Sequence, residues 1–163
     1  MSSYGLLRIL LVVAGLVVTF AGSSLATEDS SGRGRRMPTV QLTLGTATIA
    51  AVVANTEATR ISGLLGWSSI SDREGMLLDF GIARTYAIHM QGMKFPIDAV
   101  WIDSADKIVV IYHSIQPNSG LIYSSLVPAA FCLELKAGFC KQFGVKEGQR
   151  VRFGASSSGR DSK

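Results

Sequence analysis

The sequence is short of almost everything that announces a reaction. Its 163 residues include two histidines, two cysteines and four prolines. His89 and His113 stand far apart, and neither a Cys-x-x-Cys nor the paired Cys/His spacing of a zinc module occurs. A dithiol redox centre of that spacing is excluded with it. There is no glycine-rich phosphate loop. Ser124-Ser125 lacks a Gly-x-Ser-x-Gly setting, so the nucleophile elbow of a hydrolase is missing too. Charge of one sign is also scarce where it would matter. Thr39–Gly154 carries ten Lys/Arg against nine Asp/Glu, and the formal +4 comes from Arg8, Arg33, Arg35, Arg36, Arg160 and Lys163. Nucleic-acid binders concentrate positive charge on a folded face, so no nucleic-acid partner is expected. No cofactor is expected either.

One long hydrophobic run exists, and it comes first. Ile9–Ala21 has no charge, follows Arg8, and leads to Ser24-Leu25-Ala26, which places small residues where a signal peptidase reads. Residues 1–26 are therefore expected to be a signal peptide cleaved near Ala26. That gives a periplasmic or secreted protein with no membrane insertion afterwards. The alternative is an uncleaved anchor, since Ile9–Ala26 approaches the ~20 apolar residues a span requires. Residues 27–38 and 155–163 are rich in Ser, Gly and charge and are expected to be flexible tails. Residues 39–154 remain as one domain, long enough to bury a core. Cys132 and Cys140 fall within it. An exported chain permits a disulfide, while two buried free thiols are equally ordinary packing.

The domain reads as strands. Thr39–Leu44 alternates, Gly45-Thr46 turns, and Ala47–Ala54 returns as the second arm of a hairpin. Asn55 or Thr56 caps a helix over Glu57–Leu65, where Ile61, Leu64 and Leu65 form an apolar stripe and Gly66 is the stop. Strands follow at Met76–Phe80, Arg84–Met90 and Phe95–Asp103. The near-continuous apolar set of the last implies two covered faces. Lys107–His113 runs back beside it. Ser114–Pro128 shows no period and is expected to be a long loop, which in compact domains is often a lid or binding segment. Phe131–Leu135, a short helix over Ala137–Phe143, and a last strand over Gln149–Phe153 complete the order. The expected class is α+β and β-rich: a single domain with a strongly curved or barrel-like, mostly antiparallel sheet and two short helices.

Several pieces read together carry a resemblance. They are Arg60–Trp67 (RISGLLGW), Glu74–Phe80 (EGMLLDF), Met90-Gln91-Gly92-Met93, Phe95-Pro96-Ile97-Asp98, Trp101-Ile102-Asp103, Leu133-Glu134-Leu135 and Gly144–Gly148 (GVKEG). Their order and spacing resemble the domain-of-unknown-function family 192, also called uncharacterised protein family 0127, over about Val40–Phe153. The resemblance implies a small, often exported, single-domain protein without an agreed activity. The chain departs from the family where an aromatic usually precedes the central Met, here His89, and where Lys-Asn-Thr usually follows it, here Gln91-Gly92-Met93.

The chemistry-bearing residues are few. Asp98 opens an apolar strand, and a buried charge needs a partner or a proton. It reads either as a lock, bonded to backbone or to Arg60 or Arg84, or as a ligand anchor. Glu134 is a strand residue that would normally face water. Paired with Asp98, it would suit general acid/base work on an envelope glycan or peptide. His89, Met90 and Met93 offer donors suited to Cu(I), although His89 and Met90 should point to opposite faces of their strand. The leading expectation is an exported binding or accessory domain for an unknown small molecule or envelope component. Its ligand residues would be Asp98, His89, Arg60 and Tyr123, beneath the Ser114–Pro128 loop. The alternatives are a hydrolase using Asp98 and Glu134, and a copper-handling protein using His89, Met90 and Met93.

Overall fold

The structure, a computed structural model, describes residues 37–154. The expected signal segment, most of the first tail and all of the second lie outside the described residues. Nine strands and two helices occur in the described residues: β1 (Thr39–Leu44), β2 (Ala47–Ala54), α1 (Glu57–Ser62), β3 (Glu74–Arg84), β4 (Ala87–His89), β5 (Ile97–Ile102), β6 (Ile108–Ile115), β7 (Ile122–Ser124), β8 (Ala129–Lys136), α2 (Phe139–Gln142) and β9 (Arg152–Phe153). Seven strands form one sheet in the order β6-β5-β8-β3-β2-β1-β9, while β4 and β7 pair as a separate ribbon. The large sheet curls into a half-barrel, so the expected β-rich α+β class holds. Every named ladder is antiparallel except β2–β3. A parallel pair needs a crossover, and here the crossover is α1 with the turns after it. That connection is what lays α1 beside the sheet.

The sheet has a core on each face. Val100 and Ile102 of β5 pack with Leu42, Ile49, Leu133, Leu135 and Phe139 on one side. Ile97, Ala99 and Trp101 pack with Met76, Met90 and Cys132 on the other. All six residues of β5 are buried, as two covered faces require. The two cysteines fall in different cores and are free thiols, so no bridge links them.

Three elements differ from expectation. Thr56 caps α1 in a reciprocal capping box with Thr59, but the helix ends at Ser62 because Gly63 turns away at φ 45°. The expected stripe is therefore not a core face. Leu64 is buried, whereas Ile61 and Leu65 are 70% and 41% exposed. The expected strand over Arg84–Met90 shrinks to Ala87–His89, since β3 runs on to Arg84. Finally, Ser114–Pro128 is no structureless loop. β6 extends to Ile115, and β7 pairs Ile88 with Tyr123 and His89 with Ile122. A three-residue strand shows no readable alternation, so only its partner reveals it.

The β1–β2 turn tests the packing. Gly45 sits at φ +57°, and a Cβ there would collide with the Phe143 carbonyl oxygen, which accepts the Thr46 N–H at 3.1 Å. Gly148 has φ +86° but open space around it. Gly148→Ala should cost only the left-handed penalty of about 1 kcal/mol. Gly45→Ala adds the clash and should cost at least about 2 kcal/mol. Urea unfolding of the two variants measures the difference, and equal losses would contradict this packing.

Candidate functional site

Asp98 and Glu134 are the buried carboxylates of the described residues. The β5–β8 ladder sets Asp98 opposite Leu135 and Ala99 opposite Glu134. Directly opposed residues share a face, so the two acids project from opposite sides of the sheet. The structure does not bring Asp98 and Glu134 together as an acid/base pair.

Asp98 is a brace. Its Oδ1 accepts the Ser114 N–H at 2.8 Å and the Gly138 N–H at 3.0 Å, and its Oδ2 accepts the Cys140 N–H at 2.8 Å. The register shift between Ile97↔Ile115 and Ala99↔Tyr112 places His113 and Ser114 together opposite Asp98. This bulge aims the Ser114 N–H inward. One carboxylate thus ties β5 to β6 and to the start of α2. Its partners are backbone groups rather than Arg60 or Arg84.

Glu134 has the opposite situation. It is 7% exposed, and its Oε2 has no hydrogen-bond partner. Burial pushes its carboxyl up to about 7. Buried acceptors without partners are rare and need an explanation such as a ligand or a water. Glu134 lies on the wall of a groove of about 410 Å³, whose other sides come from α1 and the turn after it, Leu78 and Phe80 of β3, and Tyr86–His89. A larger hollow of about 630 Å³ near Gly45 and Arg150 contains neither buried carboxylate.

Arg60 forms the groove's cationic wall, and the sheet explains its pose. On β3 the register passes from Asp79↔Phe131 to Arg84↔Ala129, so β3 arches away from β8 between them. The Arg60 Nη1 donates to the Asp79 carbonyl at 2.7 Å. The guanidinium lies 5.6 Å above the Phe80 ring, and that ring stacks on Tyr86 with centroids 4.0 Å apart. Among the described residues the ion pair found is Lys136–Asp72, so Arg60 does not neutralise Glu134.

Of the other expected ligand residues, His89 joins Arg60 on the groove. Tyr123 does not line it: this residue is buried, bonds Ser119 Oγ at 2.9 Å and meets Tyr112 edge-on. For the copper set, His89 is exposed and Met93 lines the groove, while Met90 is packed in the core. The His89 Nδ1 accepts the Gln91 N–H at 3.3 Å.

Residues 40–153 match the domain-of-unknown-function family DUF192, described as "Uncharacterized ACR". The chain belongs to that family. Among solved structures, it is similar to a candidate transcription regulator from Sinorhizobium meliloti 1021, at 30% identity and TM-score 0.70, over 74% of this chain and 98% of that one. It also resembles a protein of unknown function from Novosphingobium aromaticivorans DSM 12444, at 21% identity and TM-score 0.64, over 70% of this chain and 83% of that one. No curated protein matches.

In this DUF192 domain, sequence reasoning missed Glu57, Tyr86 and Gln91 as groove residues. Tyr86 and Ile88 alternate along the expected Arg84–Met90 strand, but nothing local says that this strand faces α1.

The two acids should respond differently to amidation. Asp98→Asn replaces an acceptor oxygen with a donor facing backbone N–H groups. It should cost about 3 kcal/mol or more in urea unfolding at pH 7, and a loss below 1 kcal/mol would remove the brace. For Glu134, the folded state holds its proton up to about pH 7 while the unfolded chain releases it near 4.5. The folded form binds more protons between those values, so stability falls as pH rises through that window. Glu134→Gln lacks this loss. Relative to wild type it should gain about 3 kcal/mol between pH 4 and pH 8, and a pH-independent difference would show that the carboxyl is solvated.

Proposed function

We propose that this DUF192 member is an exported binding or accessory domain whose ligand seats in the groove between α1 and β4. Glu134 serves as the acceptor inside the groove, while Arg60, His89 and Tyr86 form its walls. The observation that carries the reading is the buried, unpartnered Oε2 of Glu134 beside that groove. A carboxylate left without a partner costs stability, and a ligand donor is what would offset the cost. The apolar lining from Leu64, Leu78 and Ile88 asks for an apolar flank on the same molecule. The ligand class is therefore a small molecule or envelope component with a hydroxyl or amine on an apolar body. Export rests on Arg8, the Ile9–Ala21 run and Ser24-Leu25-Ala26. N-terminal sequencing of the mature protein should begin at Thr27, and an intact Met1 on membrane-bound protein would refute cleavage. Near-equal charge over Thr39–Gly154 supports a partner other than nucleic acid, unlike what a transcription regulator would engage.

A second reading uses the same groove. A carboxyl titrating near 7 is suited to giving and taking a proton, and Glu57 is a second carboxylate on the lining. Recovery of the ligand chemically altered, rather than intact, would favour this hydrolase-like role.

Glu134→Leu separates site from scaffold, because it fills nearly the same space without an acceptor. The probes are straight-chain primary amines and alcohols, with binding followed by chemical-shift changes of groove amides. Wild type should bind members of this panel, and the variant should bind them at least about tenfold more weakly. The same variant should be no less stable than wild type at pH 8. Equal binding by the two proteins, or no groove response in wild type, would overturn the proposal.

A further inference from the structure

Away from the groove, on the other face of the sheet, three side chains from three elements converge. Asp98 of β5, His113 of β6 and Cys140 of α2 each place a ligand atom within 4.8 Å of the other two. We propose that they form a site for one divalent ion of the zinc type, ligated by Asp98 Oδ2, a His113 ring nitrogen and Cys140 Sγ.

Lone-pair counting leaves room for it. A carboxylate offers about four acceptor positions. Backbone N–H groups take two on Oδ1 but one on Oδ2. The remaining position belongs to the oxygen bonded by the Cys140 N–H, so oxygen and sulfur are brought together by one residue of α2. His113 arrives through the β6 bulge, where Ser114 holds a positive φ of 47°. For a residue other than glycine that conformation costs energy and is found at constrained sites. Here it delivers the Ser114 N–H to the carboxylate and sets His113 beside it.

The charges balance as well. Among the described residues Asp98 has no cationic side chain within 4.0 Å. Ligation replaces the Cys140 S–H bond by a sulfur–metal bond, and the proton leaves to solvent. Thiolate and carboxylate then neutralise a 2+ ion in a buried place. The mixed S, N and O donor set suits zinc and its neighbours rather than calcium or magnesium. Donor atoms around a tetrahedral zinc stand about 3–4 Å apart, so ligand atoms within 4.8 Å of one another need only a small closure. His113 is exposed and can make it, whereas Asp98 and Cys140 are buried. Three protein ligands with an exposed histidine leave the fourth position open to water, the pattern of reactive rather than purely structural zinc sites.

The test uses the full chain, stripped with a chelator and titrated with Co²⁺ under reducing conditions. One equivalent should bind with a thiolate-to-cobalt charge-transfer band in the near ultraviolet, and Zn²⁺ should displace it. Cys140→Ser should lose the band. His113→Ala alters an exposed side chain and is expected to fold normally; it should bind Co²⁺ at least about tenfold more weakly. Circular dichroism checks the fold of both variants. The absence of a thiolate band in wild type would overturn the site, and so would a His113→Ala variant that takes up the ion as tightly as wild type. Loss of groove binding in Glu134→Leu leaves this result untouched, because the two sites lie on opposite faces.

Discussion

The three backbone N–H groups gathered on the Asp98 carboxylate hold the architecture together. They come from Ser114, Gly138 and Cys140, segments that are 16 to 42 residues from Asp98 in sequence. Without that acceptor, the β6 bulge and the start of α2 would each leave donors facing a dry interior. Buried donors without partners cost more than the bond itself returns. The carboxylate therefore fixes the end of the half-barrel where β5, β6 and α2 meet. It also brings Cys140 and His113 into one place.

The second buried acid shows what a lock is not. Glu134 lies on the neighbouring strand, one ladder step from Asp98, yet on the opposite face. No backbone N–H bonds its Oε2. Both side chains are carboxylates among hydrophobic residues, and only their partners differ. Proteins tolerate an unpartnered polar group chiefly where function needs it, which is why the groove rather than the brace carries the functional reading. The same neighbourhood affects the thiols. Burial raises the Cys132 thiol, with the Glu134 charge adding to it, and burial with the Asp98 charge raises that of Cys140. Both thiols are thus pushed away from ionisation, as suits side chains packed in the core.

The groove is a product of irregularities. Gly63 ends α1 after six residues, so the chain turns back and leaves Ile61 and Leu65 on a rim instead of in a core. The arch of β3 lies where Arg60 reaches the Asp79 carbonyl and sits over Phe80. Tyr86 and β4, held to the β7 side by the Tyr86 N–H donating to Ser125 Oγ and by Asn118 Oδ1 accepting the Gly92 N–H, form the facing wall. None of these belongs to the regular ladders of the seven-stranded sheet, and together they set Arg60, Glu134 and His89 around one space.

The sequence by itself determined most of the local elements and the family. Alternation in Thr39–Leu44 and Ala47–Ala54, the doubly covered run of β5 and the Thr56 cap are short-range facts, because side-chain direction repeats every two residues in a strand and a cap needs only its own first turn. The burial of Asp98 was legible for the same reason, since its neighbours are apolar on both sides. The partners of that acid, the face chosen by Glu134 and the pairing of β7 with β4 were decided by tertiary structure alone. Each depends on which distant segment lies alongside and in what register. A shift of one residue would turn every side chain of a strand to the other face, and no pattern within a single strand specifies its register against a neighbour it meets only after folding.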